Sequence, residues 1–399
     1  MTDVLLPSTE TEAANIIRDY AQAARPLAIV GGNTRFGNRV QADATLSSRA
    51  LSGIVAYNPA EMVMTVKAGT PVAEVLAALA EARQMMAFEP MDHRAIMGTS
   101  GEPTIGGIFA ANVSGPRRYV AGAARDSLLG IRFINGRGEA IKAGGRVMKN
   151  VTGLDLVKLL AGSHGTLGFL TEVTFRVLPV PPAQTTMVIS GLEDASASNA
   201  MAAAMATSVE VSGAAHLPES VKSRFIGGAL PEGAATVLRL EGLAASVEAR
   251  SQKLQAILSA IGPTTFLAQD ESRVLWQEIR DVKPYEGNSA KPVWRVSVAP
   301  SHGHMLVAAL RMHAAIHAFY DWQGGLIWMQ MDADPEAERL SQVTRVLGNG
   351  HATLIRALPI TRHTVASFEP LKTVEHELSK RIKEKLDPAG IFNPGKMGI

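Results

Sequence analysis

Two adjacent glycines near the amino terminus have the spacing of an anion-binding loop. They follow a short apolar run at residues 26–30, which predicts a buried strand. Glycines allow consecutive backbone N–H groups to point at one anion, and each charge-assisted hydrogen bond then contributes about 1.5–3 kcal/mol. The residues that could bind a diphosphate here are Gly31, Gly32, Asn33, Thr34 and Arg35. The loop lacks the GxGxxG pattern of a Rossmann site, and a single loop of this type is more often an ordinary turn.

Two further glycine-rich regions strengthen this interpretation. The first is TIGGIFAANVSGPRR at residues 104–118, and the second is GGRVMKNVTGLDL at 144–156, continued by GSHGTLGFLTE at 162–172. Paired glycines let the backbone approach a flat ligand closely, and Asn112 adds a side chain that can hydrogen-bond it. Three such regions in one small unit predict an extended ligand that lies along the main chain.

The composition excludes several other classes of function. The chain has no cysteine, so disulfides, thiolate-bound zinc or iron–sulfur clusters and a thiol nucleophile are excluded, and redox chemistry would need a bound cofactor. The balance of 39 Lys and Arg against 37 Asp and Glu, without a block of like charge, disfavours nucleic-acid binding. We find neither a signal peptide nor an apolar run of about 18 residues, so we expect a cytoplasmic protein that is at most peripherally attached to a membrane.

The predicted elements indicate an α+β protein with more than one unit. A length of 399 residues favours two domains. Apolar periodicity predicts helices at 9–24, where Thr9 and Glu12 have the spacing of a capping box, and at 244–260 and 372–386. A further helix is predicted to be capped by Thr70, with Pro71 at its first position. Turn residues predict a hairpin at 127–143 that turns at Asn135-Gly136 to Gly138, and strands are predicted at 26–30, 62–66, 170–178, 236–240 and 293–298. The strand at 170–178 is expected to stop at Pro179, where three prolines in four positions predict a linker. We therefore predict domains at 1–180 and 184–330, with 331–399 finishing the second domain and returning to the first.

Several motifs together carry a family resemblance that covers nearly the whole chain. The segments GGNTRFG, TIGGIFAANVSGPRR, GGRVMKNVTGLDL, GSHGTLGFLTE and DPAGIFNPGKM resemble the para-cresol methylhydroxylase type of FAD-binding proteins, the vanillyl-alcohol oxidase superfamily. Within it, ANVSGPRR, VMKNVTGLDL, VWRVSVAP, YDWQGG and GNGHATLIR are similar to the smaller FAD-binding subunits of glycolate oxidases. The resemblance implies a two-part FAD-binding domain, a mixed α/β cap over the flavin ring and a C-terminal tail that returns to the FAD domain.

The resemblance also implies which residues contact the FAD. The loop at 31–35 would hold the pyrophosphate, and Thr104, Gly106, Gly107 and Asn112 would lie beside it or beside the flavin. Further candidates along the ribityl and adenosine portions and in the tail are Pro90, Arg125, Asp126, Lys149, Asn150, Glu172, Asn393 and Lys396. Some members of the superfamily attach FAD through His or Cys; residues 31–38 contain no His and the chain no Cys, so we predict noncovalent FAD.

Oxidation of a 2-hydroxy acid, the activity that the resemblance implies, needs a cation for the carboxylate and a base for the hydroxyl proton. Arg295 is our candidate for the cation because its planar fork fits a carboxylate, the alternative being a structural salt bridge. His351 is the candidate base, the alternative being a loop histidine bonded to backbone. His302 and His304 have metal-like spacing without obvious carboxylate partners, so no metal site is predicted, and His164 is interpreted as an ordinary loop residue.

One departure from the superfamily leaves two hypotheses open. Related larger subunits and D-lactate dehydrogenases carry a GHxGDGNxH motif, whereas this chain has only GNGHAT. Either this subunit oxidises glycolate at its own FAD, or it is an assembly or electron-transfer subunit beside a larger FAD-binding subunit that does so. In both cases the family implies an iron–sulfur subunit as a partner. A third interpretation, an enolpyruvyl-sugar reductase on the same fold, would require NADPH. The sequence does not separate glycolate from D-lactate, because one methyl group is worth only about 1–3 kcal/mol.

Overall fold

The structure is a computed structural model that describes residues 3–35, 40–146, 154–287, 290–332, 334–347 and 350–398. The strands are β1 Asp3–Leu5, β2 Leu27–Val30, β3 Ala44–Ser47, β4 Ile54–Asn58, β5 Val63–Lys67, β6 Gln84–Met85, β7 Leu128–Ile134, β8 Ala140–Gly144, β9 Phe169–Arg176, β10 Leu178–Pro179, β11 Ala183–Ser190, β12 Gly213–Leu217, β13 Ala235–Gly242, β14 Thr264–Leu267, β15 Val293–Ser297, β16 Ile316–Asp321, β17 Leu326–Met331 and β18 His351–Arg356. The helices are α1 Glu10–Gln22, α2 Val72–Glu81, α3 Arg94–Met97, α4 Ile105–Ala110, α5 Arg118–Ala121, α6 Ala124–Ser127, α7 Leu156–Leu160, α8 Asp194–Met205, α9 Glu219–Lys222, α10 Ala244–Leu258, α11 Gln269–Arg280, α12 Gly303–Arg311, α13 Ala337–Val346, α14 Pro359–Thr364 and α15 Thr373–Leu386.

The first sheet positions the amino-terminal glycine loop. Its strands pair in the parallel order β1-β3-β2, so β2 lies at one edge and leads directly into Gly31. Helix α1 begins after Thr9, whose hydroxyl accepts a hydrogen bond from the backbone N–H of Glu12 at 3.1 Å. This is the N-cap that the sequence predicts. The apolar face of α1 buries Ala13 and Ile17 against the sheet. This packing holds β2 and the loop that follows it in place.

A second, antiparallel sheet positions the loop that begins at residue 104. Its strand order is β4-β5-β9-β7-β8, and the pairing of β7 with β8 confirms the predicted hairpin. Helix α4 packs on this sheet through Phe109, whose ring lies 5.5 Å from that of Phe88 and 5.2 Å from that of Phe175. Burial of each such ring stabilises the fold by about 1.5–3 kcal/mol. The helix, and with it Gly106 and Gly107, is therefore rigidly placed.

The cap is a larger sheet with helices packed on it. Its antiparallel strand order is β14-β11-β13-β12-β16-β17-β15-β18. Along β15 the side chains alternate between the faces, as a strand requires. Trp294 and Val296 pack in the cluster that contains residues of α12 and α13, whereas Arg295 and Ser297 line a cavity on the opposite face. The face that carries Arg295 and Ser297 lies over the first and second sheets.

A buried group of charged residues joins the cap to the rest of the chain. Glu89 accepts hydrogen bonds from Arg239 of β13 at 2.9 and 3.1 Å and from the backbone N–H of Arg117 at 2.8 Å. The Arg117 guanidinium in turn donates to both carboxylate oxygens of Glu241, at 2.6 and 2.8 Å. The four side chains are largely buried and their formal charges cancel. We call Glu89, Arg117, Arg239 and Glu241 the charged bridge.

The C-terminal tail returns to the first sheet, as predicted. The backbone N–H of Leu27 donates to the carbonyl of Ile391 at 2.7 Å, and that of Asn393 donates to the carbonyl of Leu27 at 3.0 Å. The turn before this contact is fastened by Lys383, whose buried ammonium group donates to Asp387 at 2.9 Å and to the carbonyl of Phe392 at 3.0 Å. The tail thus extends the edge at which β2 lies.

Two predicted details of the elements are wrong. Helix α2 begins at Val72 with Pro71 at the N-cap, and Thr70 does not cap it because its hydroxyl donates to the carbonyl of Lys67 at 2.7 Å and accepts from the N–H of Gly53 at 3.0 Å. The strand predicted at 170–178 divides into β9 and β10, and Pro179 lies inside β10. A proline is tolerated there because β10 pairs on one side only, with the two-residue strand β6.

Candidate functional site

A cavity of about 510 Å³ lies between the glycine loops and the cap sheet. This volume is within the range of small-molecule and cofactor sites, roughly 300–1,000 Å³. The cavity is lined on one side by the loop after β2 and by α4, and on the other by β15, β17 and β18 of the cap. It therefore contacts every unit of the fold and is the candidate site.

At Gly31 and Gly32 the loop after β2 presents only main chain to its neighbours. A Cβ atom built on Gly32 would overlap the carbonyl oxygen of Glu102, and one built on Gly31 would overlap the hydroxyl of Thr104. Thr104 also accepts a hydrogen bond from the N–H of Gly107 at 3.3 Å at the start of α4. Glycine is thus required at 31 and 32 by close packing, and the two segments form one surface against the cavity.

A cation and a neutral histidine lie next to this surface. The Arg35 guanidinium donates to the carbonyl of Gly107 at 2.9 Å and to Nδ1 of His93 at 3.2 Å. Burial, reinforced by the charge of Arg35, lowers the pKa of His93 well below 6.5. Nδ1 of His93 also lies 3.3 Å from the carbonyl oxygen of Met91, so the Arg35 contact favours the tautomer that accepts at Nδ1 and the Met91 contact favours the one that donates there. Burial also lowers the pKa of Arg35 to about 10, which leaves it charged at neutral pH.

The C-terminal tail completes the same end of the cavity. Lys396 lines it together with His164 and Phe368, whose ring lies edge-on to the imidazole at 4.9 Å. Burial, with the charges of Lys396 and Arg35, lowers the pKa of His164 to about 3. His164 lies in a loop, as the sequence indicates, but its neutral ring forms part of the cavity wall.

The cap contributes one face of its sheet to the opposite wall. Register places the side chains of β15, β17 and β18 on one face: Arg295 is opposite Thr353 and Trp328, and Ser297 is opposite His351 and Leu326. All six line the cavity. Arg295 and His351, the two catalytic candidates, are therefore diagonal neighbours on adjacent strands and face the same space.

Two guanidinium groups flank one indole ring at this wall. The guanidinium carbon of Arg118 lies 4.4 Å from the Trp322 ring centroid, and that of Arg295 lies 5.0 Å from it. Neither arginine has a carboxylate within 4 Å in the described part of the chain. Burial and the charge of Arg118 lower the pKa of Arg295 to about 10, so it stays protonated. The structural salt bridge considered for Arg295 is not found among the described residues.

One acidic side chain belongs to the same wall. Asp321 ends β16, is 2% exposed and lines the cavity. Its Oδ1 accepts a hydrogen bond from the backbone N–H of Trp322 at 2.7 Å. Burial raises the pKa of Asp321 to about 7. By contrast, burial of the His351 imidazole and the charges of Arg295 and Arg118 lower the pKa of that histidine.

The structure brings most of the predicted site residues to the cavity. Those that line it are Gly31, Gly32, Asn33, Thr34, Arg35, Thr104, Gly106, Gly107, Asn112, Arg295, His351 and Lys396. Lys149 and Asn150 lie outside the described residues.

Five other predicted residues do not line the cavity. The side chain of Asn112 accepts a hydrogen bond from the backbone N–H of Arg125, and that of Asp126 accepts one from the backbone N–H of Ala123. Arg125 and Asp126 therefore shape the loop around α6. Glu172 lies opposite Lys67 in the second sheet. The five that lie away from the cavity lining are Pro90, Arg125, Asp126, Glu172 and Asn393.

Asn393 does not line the cavity but hydrogen-bonds two residues that do. Its side chain accepts a hydrogen bond from the N–H of Ile29 at 2.8 Å and donates to the carbonyl of His164 at 2.9 Å. Ile29 and His164 both line the cavity, so Asn393 links two parts of its wall.

Sequence reasoning missed His93, Arg118, Asp321 and Trp328. Arg118 and Asp321 lie inside the quoted segments ANVSGPRR and YDWQGG, so their positions carried a signal that was not assigned to a role. His93 and Trp328 come to the site only through tertiary packing.

Comparison with known proteins gives concordant results. A model of the FAD binding domain matches residues 2–144, and one of the C-terminal domain of FAD linked oxidases matches residues 369–397. The glycolate oxidase subunit GlcE of Escherichia coli (strain K12) is 34% identical over 373 residues, which cover 93% of this chain and 92% of that protein. A mitochondrial D-lactate dehydrogenase (cytochrome) of Arabidopsis thaliana is 25% identical over 99% of this chain and 73% of its own length.

The fold is shared with a solved flavoprotein. The structure of p-cresol methylhydroxylase with substrate bound superposes with a TM-score of 0.76 at 14% identity, over 99% of this chain and 88% of that one. This confirms the predicted fold class. Of the helices in the described ranges, none combines the length and apolar character that a bilayer-spanning helix requires.

Proposed function

This chain belongs to the family of the glycolate oxidase subunit GlcE and is an FAD-dependent oxidoreductase, and from this premise we propose that it oxidises glycolate or a related 2-hydroxy acid to the 2-oxo acid. One observation carries the proposal. Arg295 faces the cavity from the cap, remains charged, and has no carboxylate partner within 4 Å among the described residues. A buried cation without a partner suits the carboxylate of a small acid.

The cavity fits FAD at the opposite end. The main-chain surface at Gly31 and Gly32, where packing leaves no room for side chains, suits a diphosphate, and Arg35 and Lys396 supply positive charge beside it. We assign the pyrophosphate to residues 31–35. We place Thr104, Gly106, Gly107 and Asn112 beside the pyrophosphate or flavin. The other predicted contacts, along the cofactor and in the tail, remain proposals: Pro90, Arg125, Asp126, Lys149, Asn150, Glu172, Asn393 and Lys396. Of those that the structure describes, only Lys396 lines the cavity.

The cap residues then bind and orient the acid. When bound, FAD accepts a hydride from the substrate carbon. Arg295 holds the carboxylate, and the indole of Trp322 supports its guanidinium. His351 lies on the same sheet face, diagonal to Arg295, and is placed to contact the substrate. Burial, with the charges of Arg295 and Arg118, lowers the pKa of its imidazole.

Anaerobic reduction of the bound flavin tests this function. Addition of glycolate or D-lactate to the isolated protein is expected to bleach the yellow flavin band. Arg295→Met should weaken substrate binding roughly 10- to 100-fold, because a charge-assisted hydrogen bond contributes about 1.5–3 kcal/mol. The matched control is Arg273→Met, at a partly exposed position on α11 of the cap. Flavin that stays yellow with every 2-hydroxy acid tested would contradict the proposal.

A second candidate function follows from the incomplete GNGHAT motif. In it, the chain is a flavin-bearing assembly or electron-transfer subunit, and a larger FAD-binding subunit oxidises the acid. The GlcE relative is a subunit of a glycolate oxidase, which supports a complex. We propose both the larger flavoprotein and an iron–sulfur subunit as partners. We also propose that the complex is cytoplasmic, or peripheral at the inner membrane. Bleaching by glycolate in the complex but not in the isolated chain would favour this alternative.

A further inference from the structure

Asp321 is a buried acid that no role assigned so far uses. It lines the cavity on the same sheet face as Arg295, since Asp321 is opposite Leu326 in the register of β16 with β17. Its carboxylate has no Lys, Arg or His within 4 Å in the described ranges, and its single described hydrogen bond comes from the N–H of Trp322. Buried carboxylates are normally paired. The other carboxylate oxygen of Asp321 has no described hydrogen bond and faces the cavity.

The backbone at this position is held in an uncommon conformation. Trp322 and Gln323, directly after Asp321, have φ angles of 51° and 61°, which bulky residues rarely adopt. The turn is fixed from the other side of the cavity, because the indole N–H of Trp322 donates to the carbonyl of Gly115 at 2.9 Å. The Asp321 carboxylate is thus placed by both the cap and the FAD-binding unit.

Electrostatics favour Asp321 over His351 as a proton acceptor. A histidine base would become a cation within the field of Arg295 and Arg118, and both charges oppose that step. An aspartate base loses its negative charge on protonation, which burial favours. The proton affinity of Asp321 also suits its task, because burial brings its pKa to about 7, where a base can both accept and release a proton near neutral pH.

We propose that Asp321 is the general base of the oxidation, taking the proton from the 2-hydroxyl group of the substrate while Arg295 holds the carboxylate. This inference rests on the proposed function. The O–H bond breaks and its proton moves to the cavity-facing oxygen of Asp321. The C2–H bond breaks and its hydride passes to FAD, and a C2=O bond forms. The acid loses two electrons, FAD gains them, and no other reactant is needed.

Several charged groups on neighbouring elements set the proton affinity of Asp321. Arg239 of β13 and Arg295 of β15 favour the ionised form, whereas Glu89 opposes it. Tyr119 of α5 faces it as a neutral phenol. With Asp321 ionised the reaction can proceed, so the flavin reduction rate should rise with pH through about 7 and then level off.

The first test compares wild type, Asp321→Asn and Asp321→Glu by stopped-flow reduction of the flavin with glycolate across pH 5–9. Asparagine keeps an oxygen for the N–H of Trp322 but cannot accept a proton. Its limiting rate is expected to fall by about 10²- to 10⁴-fold and to lose the rise near neutral pH. Glutamate should restore that rise at a lower rate. Asp270→Asn, at a fully exposed position on α11, is the matched control.

The second test does not depend on turnover. Oxamate carries a carboxylate but cannot give up a hydride, and its negative charge beside Asp321 should raise the proton affinity of that residue. Calorimetry in two buffers of different ionisation enthalpy should then detect proton uptake on binding near pH 7 in wild type and in Asp270→Asn, but not in Asp321→Asn. Flavin content and melting temperature identify variants that fail to fold.

The outcomes separate this inference from the function on which it rests. If wild-type flavin is not reduced by any 2-hydroxy acid, both are overturned. If wild type is reduced, but Asp321→Asn matches its rate and pH profile and takes up the same number of protons with oxamate, the base is not Asp321 and the proposed function stands. Should Asp321→Asn not fold, a wild-type rate without a rise near pH 7 would overturn the assignment.

Discussion

At Gly32 the main chain lies so close to the carbonyl group of Glu102 that a methyl group has no space. We predict that Gly32→Ala destabilises the protein by about 1–3 kcal/mol through overpacking. The loop would have to move away from the segment at 102–104, so flavin content should fall as well. Melting temperature and the ratio of absorbance at 450 and 280 nm measure the two effects.

The control is Ser196→Ala, at an exposed position on α8 outside the glycine-rich regions. It should leave both quantities unchanged. Equal flavin content in the two variants would show that the loop surface does not bind the cofactor.

Residue types also predict how the flavin is attached. Residues 31–38 contain no histidine and the chain has no cysteine. We therefore expect acid precipitation of the purified protein to release all of its yellow colour into the supernatant. A fluorescent flavin band that migrates with the polypeptide on a denaturing gel would contradict noncovalent binding.

At this scale the sequence predicts the contacts that depend on main chain better than those that depend on side chains. The glycine loops were found because three glycine-rich regions occur in one small unit, whereas one such loop alone is more often an ordinary turn. Arg118 and Asp321 lie in recognised motifs but received no role, because that role depends on Trp322, which contacts Arg118 and Gly115 from a distant part of the chain. A one-dimensional pattern contains no trace of that contact.

Among the elements, the returning tail makes the clearest prediction. The side chain of Asn393 hydrogen-bonds the backbone of Ile29 and of His164. Asn393→Ala leaves those groups unpaired, which costs about 1–3 kcal/mol for each buried one. We expect a lower melting temperature and faster loss of flavin on dialysis, because only Val30 separates Ile29 from the glycine loop. Asn199→Ala, exposed on α8, should behave as wild type. Identical flavin loss from the two variants would exclude this role.

Element prediction succeeded where the signal is local. The hairpin of β7 and β8 was found from its Asn135-Gly136 turn, and α1 from its N-cap at Thr9. The start of α2 was missed because Thr70 bonds Gly53, a partner 17 residues away. Pro179 was wrongly predicted to end a strand for the same reason. It belongs to β10, and the strand with which β10 pairs, β6, lies far back in the chain.

On the scale of the whole molecule, the charged bridge couples stability to pH. Burial opposes ionisation of Glu89, but Arg239 and Arg117 outweigh it and hold its pKa at about 2, below the ordinary value of 4.5. The folded form is therefore stabilised at pH values above 4.5, and this contribution is lost as the pH falls from 4.5 through 2.

We predict that the free energy of unfolding of wild type falls between pH 6 and pH 3 by about 2 kcal/mol more than that of Glu89→Gln. At pH 6 the variant itself should be less stable by about 3–5 kcal/mol, because two buried arginines lose a partner. Urea titrations at both pH values give these differences. Glu248→Gln, exposed on α10, is the control. The same pH dependence in all three proteins would contradict the prediction.

The overall arrangement could be predicted only through resemblance. Composition and the prolines near residue 180 indicate two units, and the cap sheet does begin at Ala183. Neither the periodicity of apolar residues nor the spacing of the motifs predicts that the cap lies over the glycine loops. That relation depends on contacts such as Glu89 with Arg239, 150 residues apart.

The contact of Asn393 with Ile29 joins residues 364 positions apart. At about 5–20 residues per second, a ribosome needs roughly 20–70 s after making Ile29 before it reaches Asn393. Throughout that interval the nascent amino-terminal half lacks the last part of its binding wall. We therefore expect stable flavin binding only after the tail has been synthesised.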